Sequence, residues 1–165
     1  MTVYRYKASI PGSKVFMREY EIKGDTTLYE LHEYLLNDMG FAPDQMVVFR
    51  ALDAAERERS EYGLFDMGDG SMDSVTIDDT IAKKEIHILY VFDLKKDRCI
   101  KLTLDGEVES SPRASYPRLT AEKGRNPEQF AKGYDDFDQF VDPVDDGGDE
   151  SAIDEEELPE GEEYI

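Results

Sequence analysis

The segment from Ile86 to Leu104 constrains the fold of this chain more than any other. β-Branched and aromatic residues alternate with other residues in both of its halves, and the charged residues 95–98 interrupt the pattern. A period of two is typical of a β-strand, and two such runs around a short polar break predict an antiparallel hairpin. Because both faces of the first run carry apolar residues, we expect it inside the sheet. The hairpin should therefore lie at the centre of an antiparallel or mixed sheet.

The N-terminal residues predict a second hairpin. Residues 3–10 and 15–22 each alternate between apolar and polar side chains, and Pro11-Gly12 between them is a turn sequence. Residues 45–52 have the composition of a further strand. These strands are expected to pair with the central hairpin.

A helix is predicted between those strands. Thr27 and Glu30 have the spacing of a capping box, and Gly40 is a typical left-handed helix end. Four apolar residues at spacings of three and four form one stripe that would pack on the sheet: Leu28, Leu31, Leu35 and Met39. The order hairpin, helix, strand resembles the opening of ubiquitin and other β-grasp proteins, which implies a β-grasp-like roll with one main packed helix. The chain ends in Tyr164-Ile165 rather than in the two glycines that conjugation needs, so a ubiquitin-type modifier is not expected.

Periodicity is lost in two regions. Residues 54–62 suggest a charged helical turn, and the Gly- and Asp-rich residues up to Asp73 suggest a solvated loop whose acids do not fit the spacing of an EF-hand. Thr76 is a predicted N-cap for one or two helical turns. Gly106 marks the expected end of the second central strand, and residues 107–133 are polar and rich in turn formers.

The formal charge of −20 is concentrated at the C-terminus. Residues 134–165 contain fifteen Asp and Glu and no Lys or Arg, which leaves 24 acids against 19 bases in residues 1–133. Direct nucleic-acid binding is disfavoured, because it depends on Lys and Arg contacts to phosphate. We predict one α+β domain over residues 1–143, with 119–143 as an extension that packs on it, and a disordered acidic tail over 144–165.

The sequence favours a cytoplasmic protein. The single cysteine, Cys99, excludes an internal disulfide framework, and no signal peptide or membrane-spanning apolar run is apparent. No cofactor or metal is expected, and the sequence leans against an enzyme. The two histidines, His32 and His87, are expected to be core or surface residues. Lysines and an arginine near Cys99 could lower its pKa, but a small residue at the start of a strand is the preferred interpretation.

Tyr116, Pro117 and Arg118 form the best candidate for a binding surface. Proline stiffens the segment, and a guanidinium can hold a carboxylate or a phosphate. The alternative is that Tyr116 packs over the sheet edge while Arg118 pairs with acids of the chain's own extension. In the C-terminal region, Tyr134 and Phe137 lie among acids and could dock into a basic, apolar groove of a partner, or the segment could serve only for solubility.

Several runs together resemble one protein family, the plasmid pRiA ORF-three-like family, which also takes in transposon passenger proteins labelled TnpR. The resemblance covers residues 3–143 and is carried by DTTLYELHEYLLNDMGF, QMVVFR, SVTIDDTI, ILYVFDL, YPRLTAEKGRNPEQF and GYDDF. It implies an α+β fold with an antiparallel sheet and no particular activity. The transposon label reflects genetic neighbourhood.

The chain departs from the family pattern at three places. Asp93 is followed by Leu94 and a charged run rather than by the family's Gly-Asp-Asp-Trp turn. Gln45 stands where the family often has a histidine, and the cysteines that tend to follow the Tyr-Pro-Arg run are missing. A metal or phosphate site built from those groups is therefore not expected here.

These observations favour a non-catalytic cytoplasmic binding or adaptor protein, with a possible association with mobile elements and another protein as its partner. Two alternatives remain open. The chain could be an enzyme or a small-molecule-binding protein that uses the loops near Asp93 and Tyr116 to Arg118. It could also be a regulator that binds a DNA-handling protein through its acidic tail. The sequence does not settle the oligomeric state.

Overall fold

The structure, a computed structural model, describes residues 2–130. In that part of the chain, seven strands and two helices follow one another. The strands are β1 (Val3–Ser9), β2 (Met17–Lys23), β3 (Val48–Leu52), β4 (Glu58–Tyr62), β5 (His87–Asp93), β6 (Arg98–Val108) and β7 (Arg118–Lys123). The helices are α1 (Leu28–Met39) and α2 (Ile77–Ala82).

The strands form one antiparallel sheet in the order β4-β3-β5-β6-β1-β2-β7. The hairpin predicted from residues 86–104 is confirmed as β5 and β6, which pair from His87 with Thr103 to Asp93 with Arg98. It lies in the middle of the sheet, with two strands beyond β5 and three beyond β6. The predicted α+β class with an antiparallel sheet is also confirmed, and the sheet contains no parallel pair among the described strands.

One face of the sheet contributes to a hydrophobic core. Side chains from strands and helices meet in a single buried cluster that includes Tyr6, Tyr20, Phe49, Tyr62, Tyr90 and Leu102 of the sheet and Leu28, Leu31, Leu35, Met39 and Ile77 of the helices. Residues that alternate with the buried ones point the other way and form cross-strand ion pairs, such as Arg50 with Glu61 at 3.1 Å. The opposite face is mixed, because it also carries the buried Val48 and Val91, which pair with each other on β3 and β5.

The two helices begin side by side, and the start of each is hydrogen-bonded both by its own cap and by the segment before the other helix. Both predicted N-caps are confirmed, because the Thr27 and Thr76 hydroxyls accept from the amides of Glu30 and Asp79 in complete capping boxes. The first two amides of each helix donate to carbonyls in the segment before the other helix. Leu28 and Tyr29 donate to the carbonyls of Val75 and Met72, while Ile77 and Asp78 donate to those of Thr26 and Gly24. These four hydrogen bonds satisfy backbone amides that the first turn of a helix normally leaves to water.

Gly24 lies where these two segments touch. A Cβ atom on Gly24 would overlap the carboxylate of Asp78, so a larger residue at this position would have to displace that side chain. Gly40 ends α1 in the left-handed conformation, with φ of 71°, as the sequence predicts.

Three predictions about the strands were wrong. Residues 58–62 form β4 instead of a helical turn, and residues 118–123 form β7 within a segment predicted to be irregular. Both are edge strands, so they lack the two-sided apolar pattern by which a strand is recognised. β6 continues past Gly106 to Val108, because a register shift opposite Arg5 lets the chain pair on both sides of the glycine.

The helices of residues 2–130 include none that is both long and apolar enough to cross a membrane. The predicted tail over residues 144–165 lies outside the described residues, and so does most of the predicted extension from 119 to 143.

Candidate functional site

A polar cleft lies where the end of β2 and the start of α1 face the loop between β6 and β7. Its volume is about 310 Å³. The lining residues are Lys23, Asp25, Thr26, Glu30, Tyr116 and Pro117. The cleft thus contains two of the three residues of the predicted Tyr116 to Arg118 surface.

Local structure fixes both walls of the cleft. On one side, Lys23 is the last residue of β2, and the capping box holds Glu30 because its carboxylate accepts from the amide of Thr27 at 2.9 Å. On the other side, the Tyr116 hydroxyl accepts from the amide of Ser111 at 3.0 Å. The Lys23 ammonium is 5.9 Å from the centre of the Tyr116 ring. A ligand would therefore meet side chains whose positions are set before it arrives.

Arg118 borders the cleft without projecting a free charge into it. Its guanidinium donates to Glu21 Oε1 from Nε at 2.8 Å, and its second nitrogen lies 2.7 Å from the same oxygen. It also packs over the Tyr116 ring, 5.2 Å from the ring centre. The hydrogen bond to Glu21 raises the pKa of Arg118 above its already high value. Arg118 is therefore paired, as the alternative prediction has it, but its partner is an acid of β2 instead of one in the extension.

Arg5 adds a second cation beside the same carboxylate. Its guanidinium lies 3.8 Å from Glu21 Oε2, on the side opposite Arg118, and 3.5 Å from Glu19. Because Glu21 is buried and shared by two guanidinium groups, this ladder of ion pairs fixes β7 against β2 and β1. The ladder positions Tyr116 through the residues next to it.

Asp93 lies elsewhere. It closes the turn between β5 and β6, where it accepts from Arg98 Nε at 2.9 Å and from the Lys96 amide at 3.1 Å. The Tyr116 loop follows the other end of β6, which runs from Arg98 to Val108. Eleven strand residues span about 35 Å. The structure therefore does not bring together the two loops that the sequence offered as one ligand site.

The Asp93 turn instead binds a later segment. The Arg98 guanidinium donates to the carbonyls of Glu128 and Gln129 at 2.7 and 2.6 Å. The Gln129 side chain in turn exchanges two hydrogen bonds with the backbone of Ala42. The role of Asp93 that the contacts support is to orient Arg98.

The histidines and the cysteine do not converge. His32 is buried on the core side, where Nδ1 lies 2.8 Å from the Tyr90 hydroxyl, and burial lowers its pKa. His87 lies on the opposite, mixed face of the sheet beside Thr103, at 3.0 Å. Cys99 pairs with Val91, four residues along β6 from Thr103, the residue that pairs with His87. Burial raises the pKa of the Cys99 thiol, because desolvation outweighs the opposite effect of the nearby cations. The structure therefore gives no support to the alternative in which those cations activate the thiol.

No group of three His, Cys, Asp or Glu side chains in residues 2–130 is arranged to hold a metal ion. Tyr134 and Phe137 lie outside the described residues. Four residues of the cleft were not predicted from the sequence: Lys23, Asp25, Thr26 and Glu30. The signal that could have found them is the pairing of β7 with β2, which brings Tyr116 to the end of β2.

The cleft can bind by hydrogen bonds, ion pairs and an aromatic surface. One ammonium, two carboxylates, a hydroxyl and a phenol ring lie around it. Such a mixed set suits groups that both donate and accept, such as peptide groups and charged side chains, better than a strongly anionic phosphate.

Comparisons with known proteins were made for sequence and for fold. The model of the family described as plasmid pRiA4b ORF-3-like protein matches residues 3–162. A crystal structure of a protein of unknown function, MM3350 from Methanosarcina mazei Go1, is similar to the chain with a TM-score of 0.64 and 19% sequence identity, over 76% of this chain and 71% of that chain. At this level of identity the likeness shows a common fold alone. No curated protein matches the chain.

Proposed function

Because the chain belongs to the plasmid pRiA4b ORF-3-like family, as its sequence predicts, we propose that it is a non-catalytic adaptor that binds another protein through the cleft at Tyr116. The observation that carries this proposal is the lining of the cleft, with both signs of charge around one aromatic ring. Small-molecule sites are mostly apolar and enclose their ligand, whereas protein interfaces combine tyrosine and arginine with a polar rim.

The ion pairs around the cleft support this choice over a phosphate clamp. Arg118 is bonded to Glu21 and Arg5 lies beside the same acid, so an incoming anion would have to displace an existing carboxylate. Tyr116 and Lys23 are not held by an acid in this way in the described contacts. They are the groups that we expect a partner to contact.

The small-molecule or enzyme alternative gains less support. It required the Asp93 turn and the Tyr116 segment to act together, and these lie at opposite ends of β6. The tail alternative depends on residues 144–165, whose eleven acids could bind a basic, DNA-handling protein. We keep it as the second candidate, since the family model matches the chain as far as residue 162.

We also propose the finer organisation of the molecule. The β1–β2–α1–β3 opening would be a β-grasp-like roll with α1 as its main packed helix, which the burial of Leu28, Leu31 and Leu35 supports. The protein would act in the cytoplasm, as its single free cysteine suggests. An association with mobile elements is supported by the plasmid origin in the family's description alone.

The test is affinity capture with the purified full-length chain and a charge-swapped cleft. In the variant Lys23→Glu/Asp25→Lys, the net charge is unchanged and both side chains lie at the cleft. The matched control, Lys14→Glu/Asp44→Lys, makes the same swap at exposed positions elsewhere. A third bait has the acids of residues 144–165 changed to Asn and Gln.

The adaptor proposal predicts that a specific partner is lost from the cleft variant and is retained by the other two baits. Loss from the neutralised tail alone would support the regulator instead. If the cleft variant, the control and the wild type all bind the same partner equally, the cleft is not the binding site. Stabilisation of the wild type by a metabolite in a thermal shift panel, abolished by the cleft variant, would favour the small-molecule alternative.

A further inference from the structure

Two large apolar side chains project from the loop between β4 and α2, on a part of the molecule separate from the Tyr116 cleft. Phe65 is 77% exposed, more than the other exposed large apolar side chains of the described residues, and Met67 is 54% exposed. Isolated exposed apolar residues are common on protein surfaces, so exposure alone carries no conclusion. The loop around them, residues 63–73, supplies the further evidence.

The loop keeps Phe65 exposed, whereas the end of the partly exposed Met67 side chain lies back against Gly63 at the base of the loop. Leu64, which precedes Phe65, packs against the hydrophobic core, and Met72 at the far end is fully buried. The Met72 amide donates to the Gly63 carbonyl at 2.9 Å, which closes the loop at its base. With Leu64 and Met72 fixed inside, Phe65 and Met67 cannot be drawn into the core without breaking the loop.

The tip is ordered by a carboxylate. Asp66 Oδ1 accepts from the amides of Gly68 and Gly70 at 2.8 and 3.1 Å, and these bonds lower the pKa of Asp66. Both glycines have positive φ, which permits this tight path. Phe65 and Met67 flank Asp66 directly in the chain. The pair is therefore presented in a fixed arrangement, which lowers the conformational entropy lost when a partner binds.

The surroundings are acidic. The loop carries Asp66, Asp69 and Asp73 and no Lys or Arg. Among residues 2–130, no ion pair within 4.0 Å involves any of these three acids. Lys83 is the cation that Asp69 influences, and its ammonium already donates to the Tyr62 hydroxyl at 2.9 Å. The three carboxylates already accept hydrogen bonds within or beside the loop, from Gly68 and Gly70, from Glu61 and from Ser71. Because no Lys or Arg of residues 2–130 forms an ion pair with them, the loop keeps its net negative charge.

We infer that residues 63–73 form a docking loop for a partner protein whose surface has an apolar pocket rimmed by Lys or Arg. Phe65 would enter the pocket, Met67 would cover its edge, and the loop acids would face the cationic rim. Phenylalanine and methionine are enriched at protein interfaces, and complementary charge around an apolar centre gives specificity and speeds association. A second copy of this chain does not fit, because the same loop would bring acids against acids.

The probe for this inference is an amphipathic helical peptide of leucine and lysine, with its glutamate counterpart as the charge control. Fluorescence anisotropy measures its affinity for the full-length protein. The decisive variant is Phe65→Ser/Met67→Ser, which leaves every acid in place. Its matched control is Val15→Ser/Met46→Ser, two exposed apolar positions on other loops, 65% and 61% exposed.

We expect the Phe65/Met67 variant to lose at least about tenfold in affinity for the lysine peptide, as for an anchoring aromatic residue, while the control stays within about twofold. The glutamate peptide should not bind. Equal affinity of the wild type and the Phe65/Met67 variant would overturn the inference, since attraction to acids alone, including those beyond residue 133, does not depend on the two side chains. A wild-type dimer in sedimentation velocity that the same variant dissociates would overturn it too, in favour of a second copy.

Unchanged thermal unfolding of the variant shows that any loss of binding reflects the surface. We expect no change, because neither side chain is buried. The outcome is independent of the cleft proposal, whose variant alters Lys23 and Asp25 and leaves this loop intact.

Discussion

The two edge strands of the sheet are both held by a buried charged side chain, but the two charges act through different kinds of atom. At the β4 edge, the fully buried Glu85 accepts hydrogen bonds from the hydroxyls of Ser60 and Tyr62, at 2.5 and 2.8 Å. At the β7 edge, Arg18 is 2% exposed and donates to the carbonyls of Lys123 and Gly124, at 2.8 and 3.0 Å.

This difference determines how much each edge depends on its own sequence. The β4 anchor needs the hydroxyls of two particular side chains. The β7 anchor uses mainly backbone oxygens, which any residue provides, together with the side chain of Asn126 at 2.6 Å. Two positions are exceptions. Gly124 has φ of 82° and would place a Cβ atom against the Val15 carbonyl, and Arg118 of β7 pairs with Glu21 of β2. Most side chains of β7 should therefore tolerate substitution better than those of β4.

The largest expected effect is at Arg18. We expect Arg18→Met to reduce the free energy of unfolding by about 4 kcal/mol, because it removes a buried charge whose partners then lie without donors. Urea unfolding of the full-length protein measures the loss. Lys14→Met, at an exposed lysine of the same hairpin, should change it by less than about 0.5 kcal/mol. If the two variants lose equal stability, Arg18 is not the anchor of β7.

At the other edge, we expect Glu85→Gln to cost about 3 kcal/mol. The amide oxygen can still accept one hydrogen bond, but its NH₂ group faces a hydroxyl where a carboxylate oxygen used to accept. Glu58→Gln, at an exposed position of β4, is the control. Hydrogen exchange should show faster opening of residues 58–62 in Glu85→Gln, and uniform acceleration across the sheet would argue against a local anchor.

Substitutions that remove a single hydroxyl group from β4 should reduce stability less, and their effect should depend on Glu85. Ser60→Ala and Tyr62→Phe are each expected to cost about 2 kcal/mol, since each removes a hydrogen bond to a carboxylate. In the Glu85→Gln background the same changes should cost less, and the double-mutant cycle measures that coupling. Thr120→Ala on β7 should cost less than about 0.5 kcal/mol. Equal losses on the two edges would contradict the difference between them.

The smallest effect concerns a buried titratable group that anchors neither edge. Burial lowers the pKa of His32 in the folded protein. Below its ordinary value, near 6.5, the unfolded chain therefore binds a proton that the folded chain does not bind. Stability should be complete above that pH and fall as the pH drops towards the folded pKa, by at most about 1.4 kcal/mol per pH unit.

Urea unfolding at pH 7.5 and 5.5 checks this prediction, because both values bracket the ordinary histidine pKa of about 6.5. His32→Gln should flatten the fall, and His87→Gln should retain it. A fall of the same size in the His32 variant would assign the pH dependence to other groups. Since His32 contacts Tyr90 of the central strand β5, exchange at the two edges should not respond.

The same contrast explains how much of the fold could be predicted from the sequence. The central hairpin and α1 can be predicted because their apolar residues recur at regular spacing within one short stretch of sequence. The edge strands do not, because their stabilising partners lie far away in the chain: Glu85 is 25 residues from Ser60, and Arg18 is 105 residues from Lys123. The spacing of apolar residues within a short stretch of sequence does not indicate such distant pairs.

The candidate site shows the same limit. Tyr116 and Pro117 could be selected by their chemistry alone, and they do line a cleft. The residues opposite them could not, because Lys23 and Glu30 become their neighbours only when β7 pairs with β2. Arg118 was selected because it could clamp an anion, with pairing to acids of the extension as the alternative, and the sequence alone could not identify Glu21 of β2 as its partner.

The mutual capping of the two helices has a consequence for the order of events on the ribosome. The amides of Leu28 and Tyr29 bind carbonyls of Val75 and Met72, so a nascent chain that has emerged only as far as β4 lacks those acceptors. Until the ribosome has released residue 75, the beginning of α1 has its own Thr27 cap and water as partners. The two halves of this joint can therefore form only together, after residue 78 has emerged.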